Sequence, residues 1–122
     1  MATSALRILL VEDDPEQATL FAQVLILKGY DVETAPDTEA ALACLRDRKF
    51  DLVLLDWDLP GMKGDAFIYL LKVEHPELKT MLFSNHADIE EAARASGADA
   101  WMVKSEGIFR LREVIADLLQ TG

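Results

Sequence analysis

Residues Phe50–Gly64 read FDLVLLDWDLPGMKG, and the fold turns on what this stretch is. Leu52-Val53-Leu54-Leu55 is a short, continuous apolar run. Its length, and the Pro60 and Gly61 that follow, favour a strand buried on both faces over a helix segment. Such strands belong to parallel sheets covered by helices on each side. The run stops at Asp56, with Asp58 two residues on. A carboxylate at the carboxyl end of a buried parallel strand stands where open α/β sheets bind ligands. Taken alone, the stretch equally allows Asp56 to start a turn, as aspartates do.

The flanking sequence decides between these readings. Upstream, Ile8–Val11 is a second apolar run, closed by Glu12-Asp13-Asp14-Pro15. Asp14, Pro15 and Glu16 read as an N-cap, a proline at the first helical position and an early acid. Leu20, Phe21, Val24, Leu25 and Leu27 follow at helical spacing, and Gly29 stops the helix. Tyr30–Ala35 alternates loosely, as a partly exposed edge strand does. Asp37 or Thr38 caps a second helix bearing Ala41, Leu42 and Leu45, which ends near Asp47–Lys49. Downstream, Gly64–Glu74 reads as a third helix with Phe67, Ile68, Leu70 and Leu71 inward, ended by His75-Pro76. Thr80–Phe83 is a fourth strand ending in Ser84, and Ala100–Lys104 a fifth ending in Lys104. Between them, Asp88–Ser96 is a helix whose inner face is only Ile89, Ala92, Ala93 and Ser96. So small an apolar stripe makes it the least firmly held. Ile108, Leu111, Val114 or Ile115, Leu118 and Leu119 make an amphipathic last helix. Strands alternating with helices through short loops imply parallel βαβ units with right-handed crossovers.

Composition narrows the function classes. The chain has 122 residues, 51% of them hydrophobic and 28% charged, and a net charge of −10. That is enough for one domain, expected over residues 1–122, with a core that needs no staples. The negative charge argues against sequence-independent nucleic-acid binding, which needs a basic surface. A single cysteine, Cys44, cannot form an internal disulfide and suits a reducing, cytoplasmic setting. Met1–Leu6 is short and mixed, unlike a signal peptide, and no apolar run approaches a membrane span. Two histidines, far apart, do not suggest a zinc site. His75, before a proline at a helix end, reads as solvated, and Trp57 as a partly exposed loop aromatic.

In a parallel sheet the strand carboxyl ends share one edge. Here that edge collects Glu12, Asp13 and Asp14, then Asp56, Ser84 and Lys104. Clustered carboxylates raise one another's pKa unless a cation sits among them. Hard oxygen ligands with room for water suit Mg²⁺, so chelation is favoured over acid–base catalysis by a carboxylate pair. Lys104 would repel that metal unless an anion lay between them. A phosphoryl group fits the gap, with Lys104, the Ser84 hydroxyl and backbone N–H groups on its oxygens. Asp56 is central and can act as the nucleophile, forming an aspartyl phosphate.

ILLVEDD at Ile8–Asp14, DLVLLDWDLPGMKG at Asp51–Gly64, MLFSN at Met81–Asn85 and GADAWMVK at Gly97–Lys104 occur in that order across the chain. In these motifs the sequence resembles the receiver domain of two-component response regulators, of the chemotaxis-regulator type. The resemblance implies an α/β, doubly wound, flavodoxin-like three-layer sandwich whose five-stranded parallel sheet has the order 2-1-3-4-5. It implies phosphoryl transfer to Asp56 from the phosphohistidine of a histidine kinase or histidine phosphotransfer protein. By position, Asp13 and Asp56 would bind Mg²⁺ directly with the Asp58 backbone carbonyl, and Glu12 mainly through water. Ser84 would be the switch hydroxyl, Lys104 the phosphate-binding lysine and Trp101 the switch aromatic. Phosphorylation would draw Ser84 toward Asp56 and Trp101 inward, changing the surface of the fourth helix, fifth strand and fifth helix. A downstream protein effector or output domain would read that surface. Any catalysis would be limited to self-phosphorylation from small donors and self-dephosphorylation. The weak inner face of Asp88–Ser96 is independently what a mobile element requires.

Some positions depart from the family pattern. Ser105 stands where a proline, often cis, usually follows the lysine. A non-proline cis bond costs about 3 kcal/mol, so a trans bond or a reshaped loop is expected. Lys63 replaces a common acid, which alters the charge of the loop rim. Asn85 replaces a small residue and is expected to narrow access to the phosphoryl group. His86 and Asp58 flank the same opening, where they would influence hydrolysis; exposed loop residues without a role are the plainer account. Ala100 stands where DNA-binding regulators use an acid in their dimer, so a monomer or weak dimer is expected. Trp101 can also be read as a strand residue packed under the last helix. The chain ends at Gly122, just past that helix, which suggests a stand-alone receiver signalling by protein contact. Two other functions compete. Asp56-Trp57-Asp58 also resembles the Asp-x-Asp motif of haloacid-dehalogenase-type phosphatases, but there the extra acidic pair follows the nucleophile. A pseudo-receiver, which keeps the fold and carries no phosphate, is the other.

Overall fold

In the computed structural model of the chain, residues 5–59 and 62–120 are described. The expectations placed on Met1–Ser4, Pro60, Gly61 and Gly122 lie outside them. Every residue of β3 (Leu52–Asp56) is buried, as the unbroken apolar run requires of a central strand. Around it lie β1 (Arg7–Val11), β2 (Asp31–Ala35), β4 (Lys79–Ser84) and β5 (Ala100–Val103). All neighbours are parallel and the order is β2-β1-β3-β4-β5, as expected. The helices are α1 (Pro15–Leu27), α2 (Thr38–Asp47), α3 (Gly64–Glu74), α4 (Ile89–Ser96) and α5 (Ile108–Leu119).

Period-two alternation divides the core between the two faces of the sheet. Leu9, Val11, Val53, Leu55 and Leu82 meet Ala41, Phe67, Ile68, Leu71, Ile89 and Ala93 from α2, α3 and α4. Ile8, Leu10, Leu52, Leu54, Met81 and Phe83 meet Ala22, Leu25, Leu111 and Ile115 from α1 and α5. These two clusters make the three-layer doubly wound sandwich.

Local signals set most boundaries. The Asp14 carboxylate caps α1 by accepting from the Glu16 and Gln17 N–H groups, with Pro15 at the helix start. Asp37 caps α2 by accepting from Ala40 N–H at 2.7 Å. Gly97, at φ +84°, closes α4 in the left-handed region that glycine tolerates.

Two expectations need correction. Leu20 and Leu27, in the apolar series of α1, are 50% and 88% exposed. The helix instead turns Ala18, Ala22 and Leu25 to the core, since small side chains let it approach the sheet closely. β5 ends at Val103; Lys104–Glu106 form a 3₁₀ turn, with the Gly107 N–H donating to the Lys104 carbonyl. No peptide bond among the described residues is cis, so Lys104–Ser105 is trans, and Ser105 lies within that 3₁₀ turn.

Gly64 matters for space. A Cβ there would lie 2.8 Å from the Trp57 Cα, a backbone atom that cannot swing aside. Gly64 thus lets α3 start directly over the end of β3. Gly64→Ala should destabilise by about 1–3 kcal/mol, read as a lower urea midpoint; an unchanged midpoint would contradict the close approach. α4 buries only Ile89, Ala92, Ala93 and Ser96, and Asp88 makes no side-chain cap bond. Its amides should therefore exchange with deuterium faster than those of α3, measurable by peptide mass spectrometry. Equal protection of the two helices would contradict this ranking.

Candidate functional site

β1, β3, β4 and β5 all end at the same edge of the sheet, and each delivers a polar side chain there. Their hub is Lys104. An ammonium has three donors. Here they go to Glu12 Oε1 at 2.7 Å, Gln17 Oε1 at 2.7 Å and Asp56 Oδ2 at 3.0 Å. The same nitrogen lies 4.8 Å from the centroid of the Phe83 ring. Lys104 thereby ties the end of β5 to β1, β3 and the first turn of α1.

Glu12, Asp13 and Asp56 each offer a carboxylate oxygen, all within 4.8 Å of one another. Glu12 is 3% exposed and Asp56 6%, whereas Asp13 faces solvent. Burial, with the Asp56 charge adding to it, pushes the Glu12 carboxyl up to about 7 against the lowering effect of the Lys104 hydrogen bond. Burial alone would lower the Lys104 ammonium, but its bonds to Glu12 and Asp56 outweigh that and hold it above the ordinary lysine value. Three acids facing one lysine leave the edge short of positive charge. An all-oxygen donor set of this kind fits Mg²⁺.

Asp58 stands apart from that cluster. Its N–H donates to Asp56 Oδ1 at 3.0 Å, while its own Oδ2 accepts from the Ser84 hydroxyl at 2.8 Å. The Ser84 oxygen in turn accepts from His86 N–H at 3.0 Å. Ser84 is therefore turned to Asp58 and not to Asp56. The Asn85 side chain is engaged as well: its Oδ1 accepts from Ser105 N–H at 2.8 Å, a donor that proline would lack. The two departures from the family pattern thus satisfy each other. His86 meets the half-buried Trp57 edge to face, with centroids 4.5 Å apart. Trp101, half-buried, packs on the cluster shared with α3 and α4. Its other side borders a cleft with Arg110 and Val114 of α5. Lys63 is exposed at the start of α3 and makes no side-chain cap bond.

The structure brings together Glu12, Asp13, Asp56 and Lys104 as the strand ends implied. Ser84 and Asp58 form an adjoining pair, and Trp101 lies further along β5. Sequence reasoning missed Gln17. The available signal was its place in the first turn of a helix that begins over this edge, just after the Asp14 cap.

The chain is similar to known proteins in sequence and in fold. The nitrogen assimilation regulatory protein NtrX of Azorhizobium caulinodans is 35% identical over 118 residues, covering 93% of this chain and 26% of that protein. The solved receiver domain of NtrX from Brucella abortus is 35% identical with a TM-score of 0.86, covering 94% of this chain and 99% of that one. Response regulator TrrA from Thermotoga maritima, solved in complex with Mg²⁺-BeF, is 30% identical with a TM-score of 0.85, covering 93% and 98%. The chain spans about a quarter to a half of the length of the curated relatives it matches. Residues 8–116 match the response regulator receiver domain, and the chain belongs to that family.

Proposed function

We propose that this chain is a phosphoacceptor, a single receiver unit in which Asp56 takes a phosphoryl group from the phosphohistidine of a histidine kinase or phosphotransfer protein. One observation carries the reading: a buried carboxylate at the strand edge, held by Lys104 at 3.0 Å with the Glu12 and Asp13 oxygens close by. An Asp56 oxygen attacks phosphorus as the phosphorus–nitrogen bond of the donor breaks, and the imidazole leaves with its electron pair and regains a proton from solvent. Lys104 turns an N–H to a phosphoryl oxygen. Glu12, Asp13, Asp56 and the Asp58 carbonyl would hold Mg²⁺, which when bound supplies positive charge against the acids and the phosphoryl oxygens.

Signalling then follows from Ser84. Its hydroxyl leaves Asp58 for a phosphoryl oxygen, the loop before the weakly held α4 shifts, and Trp101 closes behind it. The α4–β5–α5 surface presents the change to a downstream protein effector or output domain. This is signalling and not turnover of an external substrate, with self-phosphorylation from small donors and self-dephosphorylation as its only catalysis. Cytoplasmic placement fits both the partners and the single cysteine. Among the described residues no helix is long and apolar enough to cross a membrane. The phosphatase alternative would need Asp58 as its acid–base group, whereas that carboxylate is engaged by Ser84.

Incubation with Mg²⁺ and acetyl phosphate should add one phosphoryl group by intact mass, and none to Asp56→Asn. Lys104→Met should slow the addition by about a hundredfold. A wild-type mass that stays unchanged, from small donors and from a cognate kinase, would leave the pseudo-receiver.

The raised Glu12 gives a signed pH dependence. Its carboxyl lies at about 7 in the fold against an ordinary 4.5, so its contribution is complete below the lower value and lost as pH rises through the higher. Lys104 is also raised, and its contribution is lost only above the ordinary lysine range, outside this window. Without divalent cations, stability should fall between pH 5 and pH 8 by at most about 3 kcal/mol, seen in urea midpoints. Glu12→Gln should flatten the fall, and a wild-type protein equally stable across the window would contradict it.

A further inference from the structure

Gln17 has no part in the family pattern described above, yet it holds one of the three donors of Lys104. Its position is set locally. The Asp14 cap, which accepts from Glu16 N–H at 2.9 Å and Gln17 N–H at 3.4 Å, fixes the first turn of α1. That turn delivers the Gln17 amide oxygen to the lysine at 2.7 Å across 87 residues of sequence. With Glu12 and Asp56 on the other two donors, no N–H of Lys104 is left over. A phosphoryl oxygen that approaches Lys104 must therefore displace an acceptor.

Of the three acceptors Gln17 alone can never carry a charge. Bonds from an ammonium to a carboxylate are charge-assisted and stronger. We propose that Gln17 is a positioning residue that restrains Lys104, and that the identity of this side chain sets how readily the lysine meets an incoming phosphoryl group. An apolar residue there would leave one donor free at all times. A carboxylate there would grip the ammonium as Glu12 does. Glutamine lies between, holding the lysine on the acids while yielding to a phosphoryl oxygen. The proposal rests on the phosphoacceptor reading of Asp56, since it concerns the rate of that reaction.

The test uses the whole chain and its Gln17→Met and Gln17→Glu variants. Methionine keeps the side-chain length and removes the acceptor; glutamate adds charge. With Mg²⁺ and acetyl phosphate, phosphorylation by intact mass should be faster in Gln17→Met and slower in Gln17→Glu. Each shift should be up to about tenfold, the worth of one hydrogen bond to a charged group. General damage to the fold lowers both rates and cannot produce opposite responses, so any other ordering overturns the proposal. A second readout needs no phosphate. In protein labelled with ¹⁵N-lysine, the Lys104 ammonium protons should exchange with water several-fold faster in Gln17→Met than in wild type. Unchanged exchange means that Gln17 does not hold the lysine, and overturns the proposal by itself. If wild type takes no phosphoryl group, from acetyl phosphate or from a cognate kinase, while exchange still responds to Gln17→Met, the phosphoacceptor reading fails. The claim about rate then falls with it, and only the restraint on Lys104 stands.

Discussion

One ammonium on a half-buried stem holds the carboxyl edge of this sheet together. Lys104 is the only cation in contact with Glu12 and Asp56 among the described residues, and both acids are almost fully removed from water. Without it, two buried carboxylates would face each other with an exposed third nearby, an arrangement that favours protonation or local opening. With it, charge remains unbalanced, since three acids outnumber one lysine. The edge is held in a state that still favours an added cation, while Glu12 is pushed up first by its burial, with the Asp56 charge adding to it.

The rest of the architecture serves this edge unevenly. β3 is rigid by construction, buried along its whole length and paired on both sides, so Asp56 is presented from the firmest part of the chain. The loop after β4 leads instead into α4, whose buried face includes two alanines and a serine. A fixed carboxylate beside a loosely held helix is the combination that lets a local change of charge become a change of surface. Ser84 sits at the junction, at the end of β4, and its hydroxyl is already committed to Asp58. Moving it means exchanging one carboxylate partner for another oxygen, not creating a bond from nothing.

Two of the departures from the family pattern are connected. Asn85 and Ser105 bond to each other and so join the loop after β4 to the turn after β5. His86 and Trp57 join the loops after β4 and β3 by ring contact. Side chains thus join the three loops at the rim around Asp56, above a floor made of Glu12, Asp56 and Lys104.

Periodicity, caps and the residues at strand ends determined much of this protein without reference to its fold. The unbroken run Leu52–Leu55 defined a central strand, Asp14 and Pro15 started α1, Gly97 stopped α4, and the thin face of Ile89, Ala92 and Ala93 marked α4 as weakly held. These features are local: a few neighbouring side chains suffice to define them. The parallel topology then placed Glu12, Asp13, Asp56, Ser84 and Lys104 on one edge. Three things were decided only in the tertiary structure. α1 is rolled so that Ala18 and Ala22, not Leu20 and Leu27, meet the sheet, because its azimuth is set by packing against β-strands and α5. β5 gives way to a 3₁₀ turn at Lys104, where the lysine has turned in to reach its acceptors. Asp58 bonds Ser84 across 26 residues, and Gln17 bonds Lys104 across 87. Such partners lie far beyond any local pattern. Which way a polar side chain turns depends on the nearest group able to satisfy it, and only folding brings that group within reach.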